Sequence, residues 1–137
     1  MQKSERGFTL IELITVMILI SLVSATLFSR IGSVSTANLQ AGRDDLIAAL
    51  FFAQQSAMAR SNIQVILTTT SVSVTENGTP LIVHSKGYPL TFPSGVSVTP
   101  ATLTYDKLGR TTATTLTLSA SGGTSATVTV EESGYAH

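Results

Sequence analysis

From Phe8 to Ser29 the chain is almost continuously apolar, with one carboxylate, Glu12, near its start and no further charge until Arg30. As a helix this run measures about 33 Å at 1.5 Å per residue, enough to cross a bilayer. From Gly32 to Gly42 the pattern changes to Gly-Ser-Val-Ser-Thr-Ala-Asn-Leu-Gln-Ala-Gly, rich in poor helix formers. Each glycine costs a helix interior about 1 kcal/mol relative to alanine. A break in the helix and an irregular but continuous helix both fit this stretch. Helical signals return at Asp44-Asp45, acids suited to a helix amino terminus, and run to Arg60, a base suited to the other end. Between them Leu46, Leu50, Ala53 and Ala57 recur at helical spacing, Ile47, Phe51 and Met58 widen the apolar face, and Gln54, Gln55 and Ser56 are left to face outward.

Past Ser61-Asn62 the period falls to two. Strands are expected at Ile63 to Leu67, Val72 to Thr75, Leu81 to Val83 after a turn at Asn77-Gly78-Thr79-Pro80, Val96 to Val98, Leu103 to Tyr105, Thr114 to Ser119 and Ala126 to Val130. Ser121-Gly122-Gly123-Thr124 joins the last two as a hairpin. The expected fold class is α+β, a long hydrophobic amino-terminal helix packed on a carboxy-terminal antiparallel β domain. Its parts are a leader at 1–7, an apolar helix at 8–30, a flexible stretch and amphipathic helix at 31–62, and the β domain at 63–137. Asn77-Gly78-Thr79 also matches a glycosylation acceptor, but the turn accounts for it.

Eight basic and eight acidic residues balance, so no global field draws in nucleic acid or an acidic partner. With no cysteine there is no disulfide, thiol nucleophile or Cys-based zinc site. His84 and His137 are the only histidines and are not at metal-ligand spacing. Glu131-Glu132 reads as a solvated strand end, and Asp106 has no cluster of oxygen donors near it in sequence to hold calcium. No phosphate loop or nucleophile motif is present, so neither a cofactor nor an enzymatic activity is expected.

Glu12 is then the feature that calls for explanation. An acid in a membrane-spanning helix costs about 2.5 to 3.5 kcal/mol on insertion scales and is by default a functional residue in search of a partner. Gly7-Phe8-Thr9-Leu10-Ile11-Glu12, behind a short basic leader, resembles the processing site of type IV pilins and of the pseudopilins of type II secretion. The resemblance implies that a prepilin peptidase cuts between Gly7 and Phe8 and methylates the new amino terminus. Glu12 would then pair with the amino terminus of a neighbouring subunit during assembly. That α-amino group has a reference pKa of about 7.7 to 8.0 and is mostly cationic at neutral pH. At about 4 Å and an effective dielectric near 20 the attraction is about 4 kcal/mol before desolvation, enough to set register but not to hold a filament alone. Lys3 and Arg6 leave the leader in the cytoplasm by the positive-inside rule. The resemblance then implies a single-pass protein of the bacterial inner membrane with its β domain in the periplasm.

The body is most similar to the H-type minor pseudopilins and related minor pilins. The likeness runs through Leu46 to Arg60 into Val65, through Tyr105-Asp106-Lys107-Leu108-Gly109-Arg110, and through Ser133-Gly134-Tyr135. Gln54 and Gln55 depart from it where relatives often carry an arginine. The resemblance implies a low-copy structural subunit that primes or caps a filament. Its partners would be other minor and major (pseudo)pilins and the inner-membrane assembly platform. The alternative is a ligand- or DNA-binding tip subunit. DNA capture needs clustered bases, and Lys107 and Arg110 are the only close pair in the β domain.

Overall fold

The computed structural model describes residues 8–83 and 86–137. It separates into two compact units, residues 1–34 and 35–137. Helix α1 covers Leu10–Ala59. Ten strands follow: β1 Ile63–Leu67, β2 Ser71–Glu76, β3 Thr79–Pro80, β4 Ile82–Val83, β5 Lys86–Gly87, β6 Leu90–Thr91, β7 Val96–Val98, β8 Ala101–Tyr105, β9 Thr114–Ala120 and β10 Ser125–Val130.

The backbone is helical throughout 32–42, so no break occurs there. The weak helix formers have another use. Ser35 Oγ donates to the Ser121 carbonyl at 2.5 Å and Asn38 Nδ2 to the Ser94 carbonyl at 3.0 Å, fastening this part of α1 to two loops. Gly42 is buried, and a Cβ there would lie 3.1 Å from Val96 Cγ1. Its missing side chain lets the 92–96 segment approach, which offsets the propensity it lacks. No helix begins at Asp44, contrary to the expectation from its acids. Asp44 instead accepts a hydrogen bond from Gln40 Nε2, one turn earlier, at 3.1 Å.

Leu46, Leu50, Ala53 and Ala57 are all buried as their spacing predicts, joined by Leu39 and Ala49. Two assignments on this helix need correction. Met58 is 54% exposed and not part of the core. Gln54 is half-buried and donates from Nε2 to the Ser133 carbonyl at 2.9 Å. Both lie under loops more than forty residues downstream, whose position helical periodicity does not encode.

The sheets supply the rest of the core. One has the order β3-β2-β1-β8 with β6 also on β2, a second the order β10-β9-β7, and β4 pairs with β5. Central β1 alternates strictly, with Ile63, Val65 and Leu67 buried. Val65 lies opposite both Val74 and Leu103 in antiparallel register. In the second sheet Leu116 faces Val128 on the buried side, while Thr117 pairs with Thr127 and Ser119 with Ser125 on the other. Full burial of a side chain such as Leu50, Leu116 or Leu118 contributes about 1.5 to 3 kcal/mol, so this interior dominates the stability of the unit. The expected strand at Leu81 to Val83 is divided. Leu81 N–H still bonds to Val74 O, while Ile82 and Val83 turn away to pair with Lys86 and Gly87.

Candidate functional site

Phe8 and Thr9 precede the helix, and Phe8 is 77% exposed. Thr9 caps α1. Its carbonyl accepts from the N–H groups of Glu12 and Leu13, and its Oγ1 accepts from Glu12 N–H at 3.3 Å. Thr9-x-x-Glu12 is thus the sequence of a capping box, a signal present in the chain that the reading of Glu12 as a partner-seeking acid passed over. The cap places the Glu12 carboxylate in the first helical turn, where the helix dipole favours negative charge, and the side chain is exposed. Gly7 and the leader lie outside the described residues.

Behind this turn, Leu10–Leu27 has a mean hydropathy of 2.4, with every described side chain exposed. Its hydroxyls are satisfied within the helix. Thr15 donates to Ile11 O at 2.8 Å, Ser21 to Met17 O at 2.8 Å and Ser24 to Ile20 O at 2.7 Å. Such internal bonding removes the cost of carrying polar groups into lipid or into an apolar bundle.

A second constellation lies in the unit Ser35–His137. It unites the two downstream stretches that the sequence resemblance singled out. The 106–110 loop closes on Asp106, whose Oδ1 accepts from Leu108 N–H at 2.8 Å and Arg110 N–H at 2.9 Å. Its Oδ2 pairs with the Arg110 guanidinium at 2.8 Å. The Arg110 amide, the Arg110 side chain and the Leu108 amide hold the Asp106 carboxyl below its ordinary pKa. Of the Lys107-Arg110 pair considered for DNA, Arg110 is therefore already engaged with Asp106. Gly109 (φ +75°) and Gly134 (φ +83°) meet over Gln54, and a Cβ on Gly134 would collide with the Gly109 carbonyl. Tyr135 sits edge-on to Phe51 at 6.0 Å and stacks on His137 at 5.5 Å.

Nearby, Tyr105 is 4% exposed, and its hydroxyl has no hydrogen-bond partner among the described residues. Burial pushes its pKa up to about 12. Glu131 and Glu132 are exposed just past the end of β10, and His84 lies outside the described residues. Among the described residues no three His, Cys, Asp or Glu side chains gather as a metal site would require.

An apolar, capped amino-terminal helix with an acid in its first turn, continuing into a helix packed on antiparallel sheets, is a pilin-like α+β fold. Residues 2–28 match the prokaryotic N-terminal methylation motif. The type IV minor pilin FimU of Pseudomonas aeruginosa superposes with a TM-score of 0.55 at 16% identity, covering 72% of this chain and 90% of that one. The minor pseudopilin EpsH of the type 2 secretion system of Vibrio cholerae does so with 0.58 at 14% identity, covering 73% and 94%. No curated protein matches in sequence.

Proposed function

We propose that this chain is a minor pilin or pseudopilin, a structural subunit that enters or primes a filament after its leader is removed. The methylation motif on a pilin-type fold carries this reading. A prepilin peptidase cuts between Gly7 and Phe8 and methylates Phe8. The apolar helix then holds the subunit in the inner membrane, leader side in the cytoplasm and β domain in the periplasm, until the assembly platform moves it into contact with other subunits. There the Glu12 carboxylate pairs with the methylated amino terminus of a neighbour. In an apolar bundle an unpaired charge costs about 3 to 5 kcal/mol, so the pair selects one register.

Mass spectrometry of the protein from native membranes is expected to show a chain starting at methylated Phe8, and a chain starting at Met1 would defeat the assignment. Glu12→Ala is expected to be inserted and cut normally, since the acid is not at the scissile bond, but to co-purify less with filament partners. Unchanged crosslinking to those partners would show that Glu12 has no pairing role.

A further inference from the structure

The chain has three asparagines, Asn38, Asn62 and Asn77, and only Asn77 is followed by glycine. Asn38 lies within α1, where its Nδ2 is bonded to the Ser94 carbonyl. Asn62 is followed by Ile63, whose branched Cβ crowds its own amide nitrogen. Asn77 and Gly78 form the two-residue loop between β2 and β3, with φ +52° and +80°, and both are exposed. Positive φ at both positions is the pattern of a type I′ hairpin turn. Gly78 N–H and Asn77 Nδ2 have no hydrogen-bond partner among the described residues, and a Cβ built on Gly78 meets nothing within 4 Å. An unbonded, unhindered nitrogen one residue after an asparagine is placed to attack that side chain's Cγ whenever the backbone can bring the two together.

Two features hold this reaction back in the folded turn. In the left-handed region ψ is about +47°, which carries the Gly78 nitrogen to the side opposite Cβ. Asn62 maintains that conformation, accepting from Asn77 N–H at 3.2 Å and donating from Nδ2 to Asn77 Oδ1 at 2.9 Å. Against them, the hairpin end is weakly built. Strand β3 has two residues, both exposed, and Pro80, paired with Thr75, has no N–H to give. Opening this end releases Asn77 from the turn.

We propose that Asn77 is a self-modification site, converted to aspartate and isoaspartate through a cyclic imide at a rate set by Asn62. The Gly78 nitrogen loses its proton and bonds to Asn77 Cγ, the Cγ–Nδ2 bond breaks, and ammonia leaves with that proton. Water then opens the ring, at Cγ to give aspartate or at the backbone carbonyl carbon to give isoaspartate. An amide and a water thus become an acid and ammonia, with no oxidant or reductant. Aspartate keeps an oxygen for Asn62 Nδ2 and fits the turn. Isoaspartate adds a carbon to the main chain of a loop whose length fixes the pairing of Glu76 with Thr79, so it undoes the β2–β3 register. The chemistry is independent of the filament role.

The full chain in detergent, kept in mildly alkaline buffer and sampled by peptide mass spectrometry, is expected to gain acid at Asn77 as two chromatographically distinct isomers. Asn38 and Asn62 are expected to remain amides. Asn62→Gly keeps the positive φ and removes the side-chain donor. It is expected to speed conversion at Asn77 at least about threefold, the population shift that loss of one hydrogen bond gives. Arg60→Ala removes the neighbouring bridge to Glu76 and leaves Asn62 in place, so it is expected to change the rate less. The chain unfolded in denaturant is expected to convert faster than any folded form. An Asn77 that stays amide in the folded chain while it converts in the unfolded one would overturn the proposal. So would equal conversion at Asn38 or Asn62, an Asn62→Gly rate no higher than wild type, or an equal acceleration by Arg60→Ala.

Discussion

The two ends of α1 carry similar apolar residues in opposite circumstances. Between Phe8 and Leu27 every described side chain is exposed, and leucines such as Leu19 and Leu22 stand 56% and 61% open. Between Leu39 and Ala57 the apolar residues recur on one face, and that face is closed, with Leu46, Leu50 and Ala53 at 0%. The first stretch is apolar all round and depends on lipid or other chains for cover. The second is apolar on one side and is covered by its own sheets. Mutations should therefore act through assembly in the first stretch and through folding in the second.

The sharpest test pairs two leucines on this helix. Leu50→Ala removes a fully buried side chain and is expected to destabilise the β domain by about 2 to 5 kcal/mol. Leu19→Ala is expected to leave the unfolding temperature of that domain unchanged, as followed by circular dichroism of the full chain in detergent. A comparable loss at both positions would break the distinction.

A second test reaches the two turns that meet over Gln54. Gly134→Ala places a Cβ against the Gly109 carbonyl at a positive φ, and a cost of about 2 kcal/mol is expected. Gly78→Ala also has a positive φ, but nothing lies within 4 Å of its Cβ, so it should bear backbone strain alone and cost less. Equal losses in chemical denaturation would show that the contact between the two turns is unimportant.

The smallest effect concerns Tyr105. At neutral pH its phenol is protonated in both folded and unfolded chains, and Tyr105→Phe removes only a buried hydroxyl that has no partner among the described residues. A gain of up to about 1 kcal/mol is expected. Above pH 10 the unfolded chain releases the proton first, because burial holds the folded pKa near 12. The wild type should then lose stability between about pH 10 and 12. In Tyr105→Phe this part of the alkaline decline should vanish, as read from denaturant midpoints across that range.

How much of this was legible in the sequence follows from the range of the interactions. The buried face of α1 and the strands β1, β2, β7, β8, β9 and β10 were marked by period, since each buries one face against a continuous core. Lys86–Gly87 and Leu90–Thr91 escaped because two residues carry no period and are held as strands by their partners. Met58 and Gln54 were misread because loops at 106–110 and 131–135 determine their surroundings. The polar stretch 32–42 was read as either a break or an irregular helix, while its Ser35, Asn38 and Gly42 are explained by contacts with residues 92–96 and 121. The resemblance had singled out the 105–110 and 133–135 stretches separately, but their meeting over Gln54 was visible only in three dimensions.

The corner between α1 and β1 has a further consequence. Asn62 (φ +56°) and Asn77 (φ +52°) face each other there, joined by Asn77 N–H to Asn62 O at 3.2 Å and by Asn62 Nδ2 to Asn77 Oδ1 at 2.9 Å. Arg60 and Glu76 bridge the same corner at 2.9 Å. A helix repeats every 3.6 residues and a strand every two, so the chain must change clocks between Ala59 and Ile63 without losing count. A slip of one residue would turn Ile63, Val65 and Leu67 to the solvent together. The paired asparagines act as an escapement, converting the angular position of the helix face into the parity of the first strand and so fixing every later pairing in that sheet.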